Sequence, residues 1–162
     1  MQPGNFVSML LSAGVSDEQQ ANVYYLQQLI RFATLKERSL KREFIEKAFA
    51  GVPGLVIDLI VRSFTSGGDD RLSKTTNGLG DKLIVHILIL ALHVSKPEFV
   101  LSPEALATDL QLAPIKLVLY LREIGCRIQT MNKNGNKLYR ASLQAPLKFP
   151  SAPKRRSSGP SG

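Results

Sequence analysis

The sequence predicts a mainly α-helical fold carrying a small β-hairpin, on three observations. Residues 82–94, Lys-Leu-Ile-Val-His-Ile-Leu-Ile-Leu-Ala-Leu-His-Val, form an apolar run too continuous for a surface helix. Two helix starts follow it closely, at Ser102-Pro103 and at Ala113-Pro114. Then the apolar period changes from 3.6 to 2 on either side of Asn134-Gly135, the strongest short hairpin signal. Three helices followed by a hairpin is the winged-helix form of the helix-turn-helix.

The N-terminal elements are less distinctive. Asn5 to Ser12 predicts a short helix stopped by Gly14. Ser16 reads as the cap of a helix running to about Lys36, with Asp17 and Glu18 near the positive end of its dipole. Val23, Leu26, Ile30 and Ala33 give it an apolar stripe. Tyr24, Tyr25 and Phe32 lie at helical spacing and are expected to be core rather than a base-stacking platform. Ser39 is expected to cap a short helix to Phe49, with Phe44, Ile45, Ala48 and Phe49 inward. Gly51-Val52-Pro53 makes a turn. A helix from Gly54 to Thr65 follows, with Leu55, Leu59, Ile60 and Phe64 expected to face inward.

Residues 66–80 have linker composition, rich in Gly, Ser, Thr and Asp. Four segments are therefore expected. Residues 1–65 form a first winged-helix-like module with a reduced wing, and 66–80 a linker. Residues 81–150 form a second winged-helix module, and 151–162 a basic tail ending in what reads as an expression scar. Two related modules in tandem is the economical reading.

In the second module, Ser102 is expected to cap a helix whose first residue is Pro103, since proline needs no donor there. Ala105, Leu106 and Leu110 give its buried stripe. The next helix runs from Pro114 to Ile124 and ends at Gly125, which is free to take positive φ. Counting outward from Asn134-Gly135 pairs Thr130 with Tyr139, Ile128 with Ala141 and Cys126 with Leu143 on a mostly apolar side. Met131 with Leu138, Gln129 with Arg140 and Arg127 with Ser142 form the other side. A one-residue slip would destroy this sorting.

The net charge of +8 is uneven. Residues 1–77 hold nine Lys/Arg against eight Asp/Glu, whereas residues 78–162 hold twelve against five. From Arg122 to Arg156 there are nine basic residues and one acid, Glu123. Such a field favours a polyanionic partner, although a solvated face with a solubilising tail would give the same bias. Lys36 to Arg42 is a smaller basic patch.

Catalytic chemistry finds no support. One cysteine excludes a disulfide framework and a cysteine-based zinc site, and Cys126 is expected to be a buried structural thiol. His86 and His93 are seven residues apart without neighbouring carboxylates, so no metal site is expected. No phosphate-binding glycine loop and no paired carboxylates are visible. No cofactor is expected. The run 82–94 is too short to span a bilayer, and Met1 is not followed by a secretory signal.

Four stretches carry a family resemblance: 82–94, then Leu106-Ala-Thr-Asp-Leu110, then Leu121-Arg-Glu-Ile-Gly-Cys126, then Leu143-Gln-Ala-Pro-Leu-Lys-Phe-Pro150. Together they resemble the C-terminal part of the 49 kDa-type subunit of RNA polymerase I, the polymerase-I-associated factor family. The resemblance covers roughly residues 20–156. It implies a tandem winged-helix domain related to the beta subunit of the general factor TFIIE. It also implies a non-catalytic DNA-binding role in rDNA transcription initiation and elongation, RNA polymerase I core subunits as partners, and a nuclear, nucleolar location. The family's N-terminal dimerisation domain has no counterpart here, so the chain is expected to be a fragment, monomeric when isolated.

The third helix of the second module, Ile115 to Ile124, is mostly apolar and offers few side chains that could read base edges. Contacts are therefore expected from the wing and tail to phosphates of single- or double-stranded DNA, with little sequence selection. The candidates are Lys116, Arg122, Arg127, Lys133, Lys137, Arg140, Lys148, Lys154, Arg155 and Arg156. Arg127 and Arg140 are expected on the outward face, with Lys133 and Lys137 flanking the tip. The alternative is a winged-helix scaffold that docks on an acidic protein partner without binding DNA.

Overall fold

A computed structural model describes residues 4–12, 14, 16–37, 40–68, 71–147 and 149–150. Its elements run α1 (Asn5–Ser12), α2 (Asp17–Thr34), α3 (Arg42–Ala48), α4 (Gly54–Phe64), β1 (Ser66–Gly68), β2 (Arg71–Ser73) and α5 (Leu79–Val94). There follow β3 (Val100–Leu101), α6 (Pro103–Leu110), α7 (Pro114–Ile124), β4 (Arg127–Lys133) and β5 (Asn136–Ser142). The fold is mainly helical with small antiparallel wings, as the sequence predicts. The order α5–β3–α6–α7–β4–β5 is that of a winged helix. Residues 17–73 hold three helices and a short hairpin.

The core is one cluster that runs from Phe6 in α1 to Ala141 in β5. Its axis is the pairing of α2 with α5. Both helices bury apolar side chains on the shared side: Leu26 and Leu29 from α2, Ile87, Leu88 and Ala91 from α5, all fully enclosed. Removing this much apolar surface from water is the main stabilising term. It also explains the apolar run of α5, which packs against α2, α4 and α7 together. At its N-terminal end, Lys82 donates to the Ser63 carbonyl at 2.8 Å and its ammonium lies 5.4 Å from the Phe64 ring centroid.

Polar contacts lock the helices to one another. Asp109 on α6 accepts from the backbone amides of Asn5 at 3.0 Å and Phe6 at 2.8 Å, holding the start of α1. An anion there complements the free amides of a helix N-terminus. Arg31 on α2 donates to Gln28 at 2.6 Å and to the Ala48 carbonyl at 2.7 Å, and its guanidinium covers the Phe49 ring at 4.7 Å. This satisfies Gln28, a buried polar side chain. Arg42 on α3 pairs with Glu46 and reaches across to Asp58 on α4; both partners hold its guanidinium well above its ordinary value.

Residues 66–80, whose composition suggests a linker, carry the β1–β2 hairpin and a short 3-10 turn at Thr76–Gly78. Leu72 is buried and its amide donates to the Leu40 carbonyl at 2.9 Å. The hairpin requires glycine at Gly67, where φ is +107° and an added Cβ would stand 2.3 Å from the Arg71 carbonyl oxygen. Glu37 accepts from Ser73 Oγ at 2.5 Å and from the Lys74 amide at 3.2 Å. Lys74 Nζ then reaches the end of α2, donating to the Ala33 carbonyl at 2.6 Å and to the Leu35 carbonyl.

Several local expectations need correction. Helix α4 buries Ile57, Ile60, Val61 and Phe64, while Leu55 is 81% exposed and Leu59 51%. This helix is apolar on nearly every side, so periodicity alone does not select the buried stripe. Contact with α2 and α5 does. On the short helix α3, Phe44 and Ala48 are exposed rather than inward, while Ile45 and Phe49 are buried. Helix α3 starts at Arg42 with Lys41 at the cap position; Ser39 lies outside the described residues. Ser16 and Ser102 occupy the cap positions predicted for them, yet neither side chain makes a capping bond. The Ser16 hydroxyl meets Gln19 Oε1 at 3.3 Å instead, and its carbonyl receives the Gln19 and Gln20 amides.

Candidate nucleic-acid interface

The wing is a three-stranded antiparallel sheet in the order β3–β5–β4. Its ladder matches the count from Asn134-Gly135: Arg127 pairs with Ser142, Ile128 with Ala141, Gln129 with Arg140, Thr130 with Tyr139 and Met131 with Leu138. The ladder stops at Arg127, so Cys126 and Leu143 are not a strand pair. The Cys126 amide donates back to the Leu121 carbonyl at 2.9 Å, and the Leu143 amide to the Phe99 carbonyl at 3.0 Å.

Alternation gives the sheet two faces. Ala141 is fully buried, and Ile128 packs on the core. The opposite face, with Arg127, Gln129, Met131 and Lys133 on β4 and Arg140 and Leu138 on β5, points to solvent. Arg127, Lys133 and Arg140 are all exposed on it. Lys137 is also exposed, but it pairs with Asn132 and so belongs to the other face at the tip. Lys133 and Lys137 thus flank the turn from opposite sides.

Two anchors fix the wing on the helices. Glu104 on α6 accepts the Tyr139 amide at 2.5 Å, covering the edge of β5 beyond the end of β3. Gly125 ends α7 with φ +99°, and an added Cβ there would lie 3.1 Å from the Phe149 ring and 3.4 Å from Leu147. The segment after β5 therefore folds back over the start of the wing. Beside it, Cys126 is 4% exposed, and burial pushes its thiol up to about 11. That is an inert structural thiol.

Helix α7 presents Ile115, 49% exposed, and Leu119, 53% exposed, on one stripe with Arg122. A base-reading helix needs polar groups at such positions. On its α5 side, an open groove of about 590 Å³ is lined by Val85, His86, Ile89, Lys116, Leu119 and Glu123 among others. Tyr120 donates to Asp81 across this groove, and that bond, with some burial, pushes its phenol up to about 12. His86 lies 5.4 Å from the Phe64 ring and 6.4 Å from Tyr25, and burial, then Lys82, lowers its basicity. The ring packs edge-on against these aromatics while the residue stays exposed to solvent. Phe32 is fully buried as expected, while Tyr24 is 40% exposed.

The predicted cations thus fall into groups. Arg127, Lys133 and Arg140 share one face, and Lys137 stands across the tip. Lys116 lines the α5–α7 groove, away from the wing face, and Arg122 is exposed in the last turn of α7. Lys148, Lys154, Arg155 and Arg156 lie outside the described residues.

The pattern that describes A49-like RNA polymerase I associated factors matches residues 5–150. The chain belongs to that family. It is also 30% identical, over 153 residues and 87% of its length, to the DNA-directed RNA polymerase I subunit rpa49 of Schizosaccharomyces pombe. The match spans 36% of that relative, so this chain corresponds to about a third of it. The match to the A49-like family takes in α1 as well as both hairpins; it begins before residue 20, where the motif resemblance starts, and ends at residue 150.

Sequence reasoning missed three parts of this A49-like site. Strand β3 is only two residues long, although Phe99-Val100-Leu101 before Ser102 was an apolar signal for it. The Glu104–Tyr139 anchor joins residues 35 apart and the Tyr120–Asp81 bond residues 39 apart, and neither leaves a mark in local patterning.

Proposed function

We propose that this chain is a non-catalytic, DNA-binding module of an RNA polymerase I subunit. It grips the phosphate backbone with little sequence selection and supports initiation and elongation of rDNA transcription. The observation that carries this reading is the wing. Residues 127–142 hold four cations and no acid, and three of the cations share one exposed face. The name of the S. pombe relative supports the setting. The proposed partners are accordingly DNA and the RNA polymerase I core, and the proposed location is the nucleolus.

Each neutralised phosphate contributes about −0.9 to the slope of log K against log salt on duplex DNA. With roughly three to five cations in contact, the slope on random-sequence DNA should be about −3 to −5. Changing Lys133, Lys137 and Arg140 together to Ala should weaken binding equally on all sequences and cut the slope by roughly two to three. Gel shifts at two salt concentrations measure both. Unchanged affinity and slope would remove the wing as the contact surface. A second reading, docking on a protein partner, is favoured by the exposed Ile115 and Leu119 on α7. It takes over if random-sequence DNA is not bound.

A further inference from the structure

The outward face of the β4–β5 hairpin carries more than charge. From base to tip its rungs are Arg127–Ser142, Gln129–Arg140, Met131–Leu138 and Lys133–Asn136. A surface made only for phosphates would be cationic or polar along its whole length. Here the third rung is apolar, and Met131 is 47% exposed. The strand residues that join the core, Ile128 and Ala141, lie on the opposite face, so no core packing accounts for the Met131 side chain. Cationic rungs stand on both sides of it, and no acidic residue occurs in either strand.

We propose that Met131, backed by Leu138, is an apolar wedge for an unstacked base step, so that the wing prefers DNA with unpaired bases over intact duplex. This inference rests on the DNA-binding reading above. A thioether gains nothing from a phosphate but gains contact energy against the apolar face of a base. Intact duplex exposes such faces only after unstacking, which opposes binding; a mismatch or melted stretch has already lost its stacking. Arg140 and Lys133, one rung to either side, are spaced to hold the flanking backbone while the wedge meets the bases. Lys137 at the tip adds attraction from the other side.

The test compares a labelled random-sequence duplex with the same duplex carrying a short internal bubble, by fluorescence anisotropy. The full chain should bind the bubble about tenfold more tightly. Met131→Gln, of similar length but polar, and Met131→Thr, which suits a strand, should both bring the ratio near one and leave the salt slope unchanged. Met131→Leu should keep the preference. Equal binding of both DNAs by the unaltered chain overturns the wedge but leaves the DNA-binding reading standing. So does a bubble preference that survives Met131→Gln and Met131→Thr, or one that Met131→Leu also abolishes, since then charge or hairpin shape is responsible. Failure to bind either DNA instead overturns the DNA-binding reading itself.

Discussion

Replacing Lys74 with Met should loosen the whole molecule from a position far from the wing. The Lys74 ammonium donates to the carbonyls of Ala33 and Leu35, with a longer contact of 3.4 Å to Phe32, and lies 6.0 Å from the Phe32 ring centroid. It thereby covers the C-terminal end of α2, the helix on which α5 packs. Met preserves the apolar stem and deletes only the charged head. Hydrogen bonds to a charged group are worth about 1.5–3 kcal/mol each when buried, and a cation at a helix C-terminus about 0.3–1 kcal/mol. The site is only half-buried, so water would replace part of this. A net loss of about 1–3 kcal/mol is expected on that basis. For a chain of this size each kcal/mol lowers Tm by about 2–4 °C, so the variant should melt roughly 2–12 °C lower. Urea unfolding followed by circular dichroism measures the loss directly. Lys36→Met, an exposed lysine just past the same helix, is the control and should stay within about 0.5 kcal/mol. If Lys74→Met is as stable as that control, water serves the α2 carbonyls equally well and the latch is not structural.

Other substitutions test separate parts of the fold. Asp109→Ala removes the anion that holds the Asn5 and Phe6 amides and should cost about 1–2 kcal/mol, with amide exchange in α1 rising before the rest. Leu55→Ser on α4 should change stability by under about 0.5 kcal/mol, whereas Ile60→Ala should cost about 2–4 kcal/mol; a comparable cost for Leu55→Ser would restore the inward place that periodicity suggested for Leu55. Cys126 adds a pH dependence. Its folded value of about 11 lies above the ordinary 9.0, so the unfolded chain loses this proton first. The stability it contributes is intact below about pH 9 and is lost as pH rises through 11, by on the order of 2–3 kcal/mol in total. Denaturant melts from pH 8 to 11 should show this decline in the native chain and a shallower one in Cys126→Ala.

Local signals were enough for the second half of the chain and weaker for the first. Asn134-Gly135 set the register of the wing because a two-residue turn leaves no freedom to slip, and the alternating polarity on both strands agreed with it. Pro103, Pro114 and Gly125 marked helix boundaries through their own backbone limits. In α3 and α4 the same reasoning chose the wrong faces for Phe44, Leu55 and Leu59. Helix α4 is broadly apolar, so more than one stripe fits a 3.6 period, and α3 spans only seven residues, too few to single out one stripe. Residues 66–80 read as linker because Gly, Ser and Asp dominate, yet the buried Leu72 and the long reach of Lys74 anchor the hairpin formed there. Of the candidate site, the cations on the wing were legible by counting along the strands. Their division into an outward trio, Lys137 across the tip and Lys116 in the α5–α7 groove was not, because it depends on how the sheet sits on the helices.

The sequence by itself determined where the helices run, the place and register of the β4–β5 hairpin, and the concentration of positive charge in the second half. Each is a consequence of neighbouring residues acting within a few positions. Tertiary structure alone decided that α2 and α5 share one core, that Asp109, Glu104 and Lys74 secure backbone groups on distant elements, and that α7 exposes Ile115 and Leu119. These depend on contacts between residues tens of positions apart, whose energy comes from excluding water at surfaces that no local pattern specifies.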